Sequence, residues 1–167
     1  MSNAGKTLLF FVFGFFVALY TGLAIAQNPQ KLDAQVVRVL DGDTVVVRDI
    51  RDGSSHRVRL AQIDAPESDQ PFGKESTEAL KQLIDGKHVT VTFSRTDQYG
   101  RIVGTIWYED KDVNLYMVSN GYAMRYHRFS DSLEYLQAHR EAQRERRGLW
   151  GDKNPVNPWD WRRQKGG

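Results

Sequence analysis

Five short runs of alternating or β-branched residues, each closed by turn chemistry, constrain this chain more than any other feature. Residues 35–40 carry Val36, Val37 and Val39, and Asp41-Gly42-Asp43 then turns the chain. Thr44 opens a β-branched run over 44–48, and Asp52-Gly53-Ser54-Ser55 is a hairpin signal. Over 56–61, Val58 and Leu60 alternate with Arg57 and Arg59, so the arginines share one face of a half-buried strand. Val89, Val91 and Phe93 alternate over 88–93, and a fifth run over 102–108 follows the turn at Tyr99-Gly100. The pattern gives a mixed α and β fold, mostly antiparallel.

Helical signals fall between and after these runs. Ala79, Leu80, Leu83 and Ile84 share one face of a helix over 74–84, which Gly86 stops. The spacing predicts a short helix over 113–119, capped by Asp112 and ended before Gly121, and a last helix over 132–146. Asp131 with Glu134 resembles a capping box for the last helix, and Gly148 is its stop. Residues 64–72 form a loop with two prolines.

The chain ends differ from its middle. Lys6 is the only charge in residues 1–26, residues 8–23 are almost wholly apolar, and Ala24-Ile25-Ala26 fits a signal-peptidase site. Residues 1–26 are therefore expected to be a signal peptide cleaved after Ala26, giving a secreted or periplasmic protein. The alternative is an uncleaved membrane anchor, since about 19 apolar residues span a thin bilayer. Residues 27–33 read as a polar linker with Pro29, 34–150 as the domain, and 151–167 as a tail. Cleavage leaves roughly 140 residues, enough to bury a core unaided. The chain has no cysteine, which excludes disulfide frameworks, zinc–thiolate sites and cysteine nucleophiles. A net charge of +2 does not announce a nucleic-acid binder. Arg140, Arg144, Arg146, Arg147, Arg162, Arg163 and Lys165 do load the C-terminal third, as a solvated helix face with a frayed tail or as a nucleic-acid contact. Trp159 and Trp161 read as a tail docked on the domain, or as a partner-binding tail.

The chemistry concentrates in Asp41-Gly42-Asp43-Thr44, in Ile63-Asp64-Ala65-Pro66-Glu67 with Arg59 just before it, and in Asp97-Gln98-Tyr99-Gly100-Arg101. Carboxylates select hard cations such as Ca²⁺ or Mg²⁺, and arginine meets phosphate oxygens two at a time. Together they suit holding a hard cation beside a phosphodiester while water attacks phosphorus. Taken singly, Asp43 is a turn acceptor, Asp64 a loop cap, Glu67 a surface glutamate and the arginines exposed strand residues. The four histidines show no metal spacing.

In order and wording these motifs resemble the staphylococcal nuclease family over residues 34–150. Gly73-Lys74-Glu75, Asn120-Gly121-Tyr122-Ala123 and Arg147-Gly148-Leu149-Trp150 extend the resemblance. It implies a five-stranded OB-type β-barrel with about three helices. It also implies a calcium-dependent nuclease that cuts DNA and RNA with little sequence preference and leaves 3′-phosphate ends. The metal ligands implied are Asp43, Asp64 and the backbone carbonyl of Ala65. Glu67 corresponds to the catalytic glutamate, and Arg59 and Arg101 to the phosphate-binding arginines. Tyr99 is either a platform that stacks on a base or sugar, or a turn aromatic covering the barrel end. Gln98 stands where the family has a basic residue, and Tyr126-His127-Arg128-Phe129 departs from its spaced tyrosines, so no base contact is carried onto His127. A monomer is expected, with nucleic acid as its partner and a membrane only if the N-terminal segment is retained. The rival class is a non-catalytic OB module that binds single strands. A membrane-tethered interaction protein is a third.

Overall fold

The computed structural model describes residues 29–165. The leader or anchor expected over 1–26, with its cleavage site, lies outside the described residues. Among the described residues no helix is long and apolar enough to cross a membrane.

The first strand, β1 (Gln30–Val39), pairs antiparallel with β2 (Thr44–Asp49), which pairs with β3 (Ser55–Leu60). On its other edge β1 pairs with β5 (His88–Thr96), which pairs with β6 (Ile102–Tyr108). The sheet closes where β3 meets β6 in parallel, with Val58 opposite Ile102, Arg59 opposite Val103 and Leu60 opposite Gly104. These five strands form the expected OB-type barrel. Its interior is filled by Val36, Val45, Val47, Val58, Leu60, Val91 and Ile106, none more than 1 % exposed.

The strand begins five residues earlier than the alternation over 35–40 indicates, inside the stretch read as a linker over 27–33. Leu32 and Ala34 are buried on one face, and Gln30 to Gln35 pair with Phe93 to His88. A bulge between Val36 and Arg38 breaks the period and leaves Val37 outside.

Helix α1 (Gly73–Ile84) covers one end of the barrel with Leu80 and Ile84. Helix α2 (Val113–Ser119) is capped by Asp112, whose side chain accepts from the Leu115 N–H. Its Asn114 is fully buried. Asn114 Oδ1 accepts the Ile106 N–H at 3.1 Å, and Nδ2 donates to the carbonyls of Ala61 (3.0 Å) and Gly104 (3.1 Å). One amide thereby satisfies three backbone groups at the β3–β6 seam.

Helix α3 (Leu133–Arg144) starts at a Ser132 cap and not at an Asp131–Glu134 box. Its phase is set by buried Tyr135, whose hydroxyl donates to Asp112 Oδ2 at 2.9 Å. The tail over 151–167 holds a fourth helix, α4 (Pro158–Lys165), beyond the three expected. Three two-residue strands complete the fold. β4 (Ile63–Asp64) pairs with β8 (Met124–Arg125), and β7 (Lys111–Asp112) with β6.

Candidate active site

The parallel seam decides where the site lies. Arg59 is the penultimate residue of β3 and Arg101 immediately precedes β6, so closing the barrel brings both arginines to one rim. The turn between β1 and β2 faces the same rim. Asp41 Oδ1 accepts the Asp43 N–H at 3.0 Å, an Asx turn, and the Asp43 carbonyl accepts the Leu60 N–H at 2.8 Å. Asp43 is thereby fixed to β3. Its Oδ2 accepts the Ala65 N–H at 2.7 Å and its Oδ1 the Thr44 hydroxyl at 3.1 Å.

Asp64 is brought alongside by the short β4–β8 pair and is 2 % exposed. Arg59 spans the two carboxylates, with Nη1 2.6 Å from Asp43 Oδ2 and Nη2 2.9 Å from Asp64 Oδ1. A single cationic group bridging both shows that they stand close enough to share one positive charge.

Burial pushes the Asp41 carboxyl up to about 7, and the charge of Asp43 adds to the effect. Burial likewise raises Asp64, against the pull of Arg162 and Arg59. So many acids in low dielectric demand positive charge. Among the described residues no group of three or more His, Cys, Asp or Glu side chains forms a metal cluster. Asp43 and Asp64 offer carboxylate oxygens alone, a chemistry that fits a hard cation keeping several waters.

Glu67 lies in the loop after β4. Its carbonyl accepts the Gln70 N–H at 2.9 Å, and its own N–H donates to Gln70 Oε1 at 3.1 Å. Gly73 permits this loop to abut α1, since a Cβ there would sit 1.8 Å from the Glu67 carbonyl oxygen. Arg101 is held by Asp97, with Nε donating to Oδ2 at 2.8 Å, while Asp97 Oδ1 accepts the N–H groups of Tyr99 and Arg101. Tyr99 is 74 % exposed at the rim, its ring centroid 5.5 Å from the Arg101 guanidinium carbon.

Asp43, Arg59, Ala65, Glu67, Tyr99 and Arg101 line one cleft of about 720 Å³. Asp64 lies beneath its floor, held by two arginines. Of these, Arg162 comes from the basic run read as a solvated face with a frayed tail or as a nucleic-acid contact, and it pairs with acids of the chain itself. It belongs to α4, where Trp159 and Arg162 are three residues apart and so share a helix face. That spacing, an anchoring aromatic one turn before a basic residue, is the signal that was available. Tyr126, Phe129 and Trp159 also line the cleft, with Tyr126 and Phe129 edge to face at 4.9 Å. His127 is exposed.

Residues 57–152 match the family model described as "Staphylococcal nuclease homologue". A protein from Escherichia coli named "Uncharacterized endonuclease" is 44 % identical over 135 residues, covering 80 % of this chain and 87 % of that one. One of the same name from Haemophilus influenzae is 40 % identical over 140 residues, covering 84 % and 78 %. The "Micrococcal nuclease" of Shigella flexneri is 39 % identical over 140 residues, covering 77 % and 79 %.

Proposed function

We propose, from the premise that this chain belongs to the staphylococcal nuclease family, that it is a calcium-dependent nuclease. It hydrolyses DNA and RNA with little sequence preference and leaves 3′-phosphate ends. The observation that carries the reading is the spanning of Asp43 and Asp64 by Arg59, with Glu67 and Arg101 on the same cleft.

Asp43, Asp64 and the Ala65 carbonyl would hold the ion. When bound, Ca²⁺ supplies a hard Lewis acid for the phosphate oxygens and for a water. Arg59, which bridges the two carboxylates, would present its guanidinium to the scissile phosphate. Arg101 meets the same phosphate from across the seam, held in place by Asp97. Both guanidinium groups count most as phosphorus becomes five-coordinate and gains negative charge. Glu67 takes a proton from the attacking water or orients it. The departing group is the 5′-oxygen, a polarity that rests on family membership. Tyr99, solvent-exposed at the rim, offers a sequence-tolerant stacking surface.

The test is digestion of single-stranded DNA and RNA with Ca²⁺, Mg²⁺, Zn²⁺ or chelator. Cleavage should vanish in chelator and return with Ca²⁺ better than Mg²⁺, because a loop site with few rigid ligands suits the larger ion. Full activity in chelator, or equal rescue by Zn²⁺, sinks the calcium assignment. Binding of single strands without cleavage would install the OB binding module instead. Export follows from Lys6, the apolar run over 8–23 and Ala24-Ile25-Ala26, with secreted or periplasmic protein starting at Gln27. N-terminal sequencing that finds residues 8–23 still attached to active protein in cells favours the anchor.

A further inference from the structure

The C-terminal helix brings a third guanidinium to the acidic side of the cleft. Arg162 Nη1 donates to Glu67 Oε1 at 2.7 Å, and Nη2 donates to Asp64 Oδ1 and Oδ2 at 3.1 and 2.9 Å. One planar fork therefore engages both acids of the Asp64-to-Glu67 loop, a geometry that fixes orientation as well as charge.

The helix is docked, not draped. Gln70, 5 % exposed, donates from Nε2 to the Val156 carbonyl at 2.7 Å while its Oε1 accepts the Glu67 N–H at 3.1 Å. That one amide ties the backbone of Glu67 to the backbone of the tail. Trp161 Nε1 donates to Asp69 Oδ1 at 3.3 Å, and Lys165 pairs with Asp69 as well. On the opposite side the Trp159 ring lies 6.3 Å from the Tyr126 ring, with the Arg128 guanidinium carbon 4.8 Å from its centroid. Asn157 caps α4, its Oδ1 accepting the Trp159 N–H at 2.9 Å. Pro155 and buried Pro158 restrict the approach. Each anchor leads to the Glu67 loop or to the wall facing it.

We propose that Arg162 is a positioning residue of this site, holding Glu67 and Asp64 in their working orientation from the tail helix. The inference rests on the nuclease reading above. Arg162 is compatible with a bound cation. A carboxylate offers about four acceptor positions. Arg59 and Arg162 take three on Asp64, two at Oδ1 and one at Oδ2, which leaves an Oδ2 lone pair for metal. On Glu67 the Arg162 bond takes Oε1 and leaves Oε2 for a water. Without the fork, two like charges in one short loop repel, and a misplaced base is costly because near-attack geometry is strict.

The test is single-turnover cleavage of a short single-stranded oligonucleotide by the full chain, with circular dichroism to confirm folding. R162A should slow cleavage by about 10–100-fold, the range for loss of an outer partner of a metal ligand. R162K should recover part of the rate. R163A should match the parent, since Arg163 pairs with Asp160 on its own helix. In the E67Q background R162A should add little further loss, because the base it orients is gone. Two readouts do not involve turnover. Oligonucleotide affinity in chelator should stay within about threefold of the parent, and calorimetric Ca²⁺ affinity should be unchanged or weaker. R162A cleaving at the parental rate overturns the inference and leaves the nuclease reading standing. Equal or faster cleavage with at least about tenfold tighter Ca²⁺ would make Arg162 a latch that the ion displaces, and also overturns it. A parent that binds strands and never cuts them removes both.

Discussion

Glu67→Gln is the sharpest single-residue change available here. It keeps the volume and an acceptor for Arg162 but removes the proposed base and a charge. Single-turnover cleavage should fall by about 10²–10⁴-fold, as for loss of a general base. Arg101→Ala should cost about 10²–10³-fold, the range for one transition-state donor. Both variants should keep the parental circular dichroism, because Arg101 is tethered to a turn and Glu67 to a loop, neither in the barrel core. Tyr99→Ala behaves differently. Its ring is exposed, and stacking is worth about 1–3 kcal/mol per base. Oligonucleotide affinity should weaken by about tenfold while the saturating rate stays near parental. A Tyr99→Ala variant with parental affinity would leave the ring as a cover for the barrel end.

Among the elements, the seam between β3 and β6 is where a small change does most damage. Asn114→Leu leaves the Ile106 N–H and the Ala61 carbonyl without their side-chain partner in a buried place, while the Gly104 carbonyl keeps the Ala61 N–H. Each unsatisfied group costs about 1–3 kcal/mol, and relaxation recovers part, so unfolding free energy should drop by about 2–4 kcal/mol. Urea titration checks this, and a midpoint unchanged from the parent would show that the seam holds without the amide. The five barrel strands were legible through alternating or β-branched runs closed by turns, and α1 to α3 through an apolar face, caps and glycine stops. Val58 and Leu60 against Arg57 and Arg59 is the clearest case. The first residues of β1 were harder, since Ala34 is small and Leu32 sits among Gln30, Lys31 and Asp33. The β4–β8 pair has two residues a side and no period at all, yet it delivers Asp64. Helix α4 has little apolar face of its own and is held by Trp159, Trp161 and Arg162 reaching partners elsewhere in the chain. Such contacts leave little local pattern beyond the spacing of Trp159 and Arg162. Asp43, Arg59, Glu67 and Arg101, which the structure brings to one cleft, stand in motifs visible in the sequence, whereas Arg162 is one arginine in a basic run.

Across the whole molecule, His139 ties stability to pH in one direction, as the raised Asp41 does in the other. The histidine is half-buried against Trp150 at 5.0 Å between ring centroids, and its Nδ1 accepts the Arg125 N–H at 3.2 Å. Burial, with Arg125 and Arg140 nearby, holds its imidazole below the ordinary value of 6.5. The unfolded chain therefore binds a proton more readily than the folded one. Stability from this residue is complete above pH 6.5 and is lost as pH falls through the lowered folded value. His139→Gln keeps an acceptor without a titrating ring. As pH falls from 7.5 to 5.5 its Tm should gain on the parent's, since the raised Asp41 carboxyl contributes equally to both, and parallel Tm curves would exclude the histidine as the cause.

The parallel closure of the barrel has a consequence for time as well as for shape. Residues 58–60 meet residues 102–104 across a long intervening chain, and such non-local pairings form slowly during folding. Arg59 and Arg101 flank that join. A chain emerging from denaturant should regain its helical signal first and its ability to cut nucleic acid only when the join is made. Stopped-flow circular dichroism set beside quenched aliquots assayed for cleavage would resolve the lag, and simultaneous recovery would exclude it. A nuclease wired in this way stays harmless to the nucleic acid around it for as long as it remains unfolded.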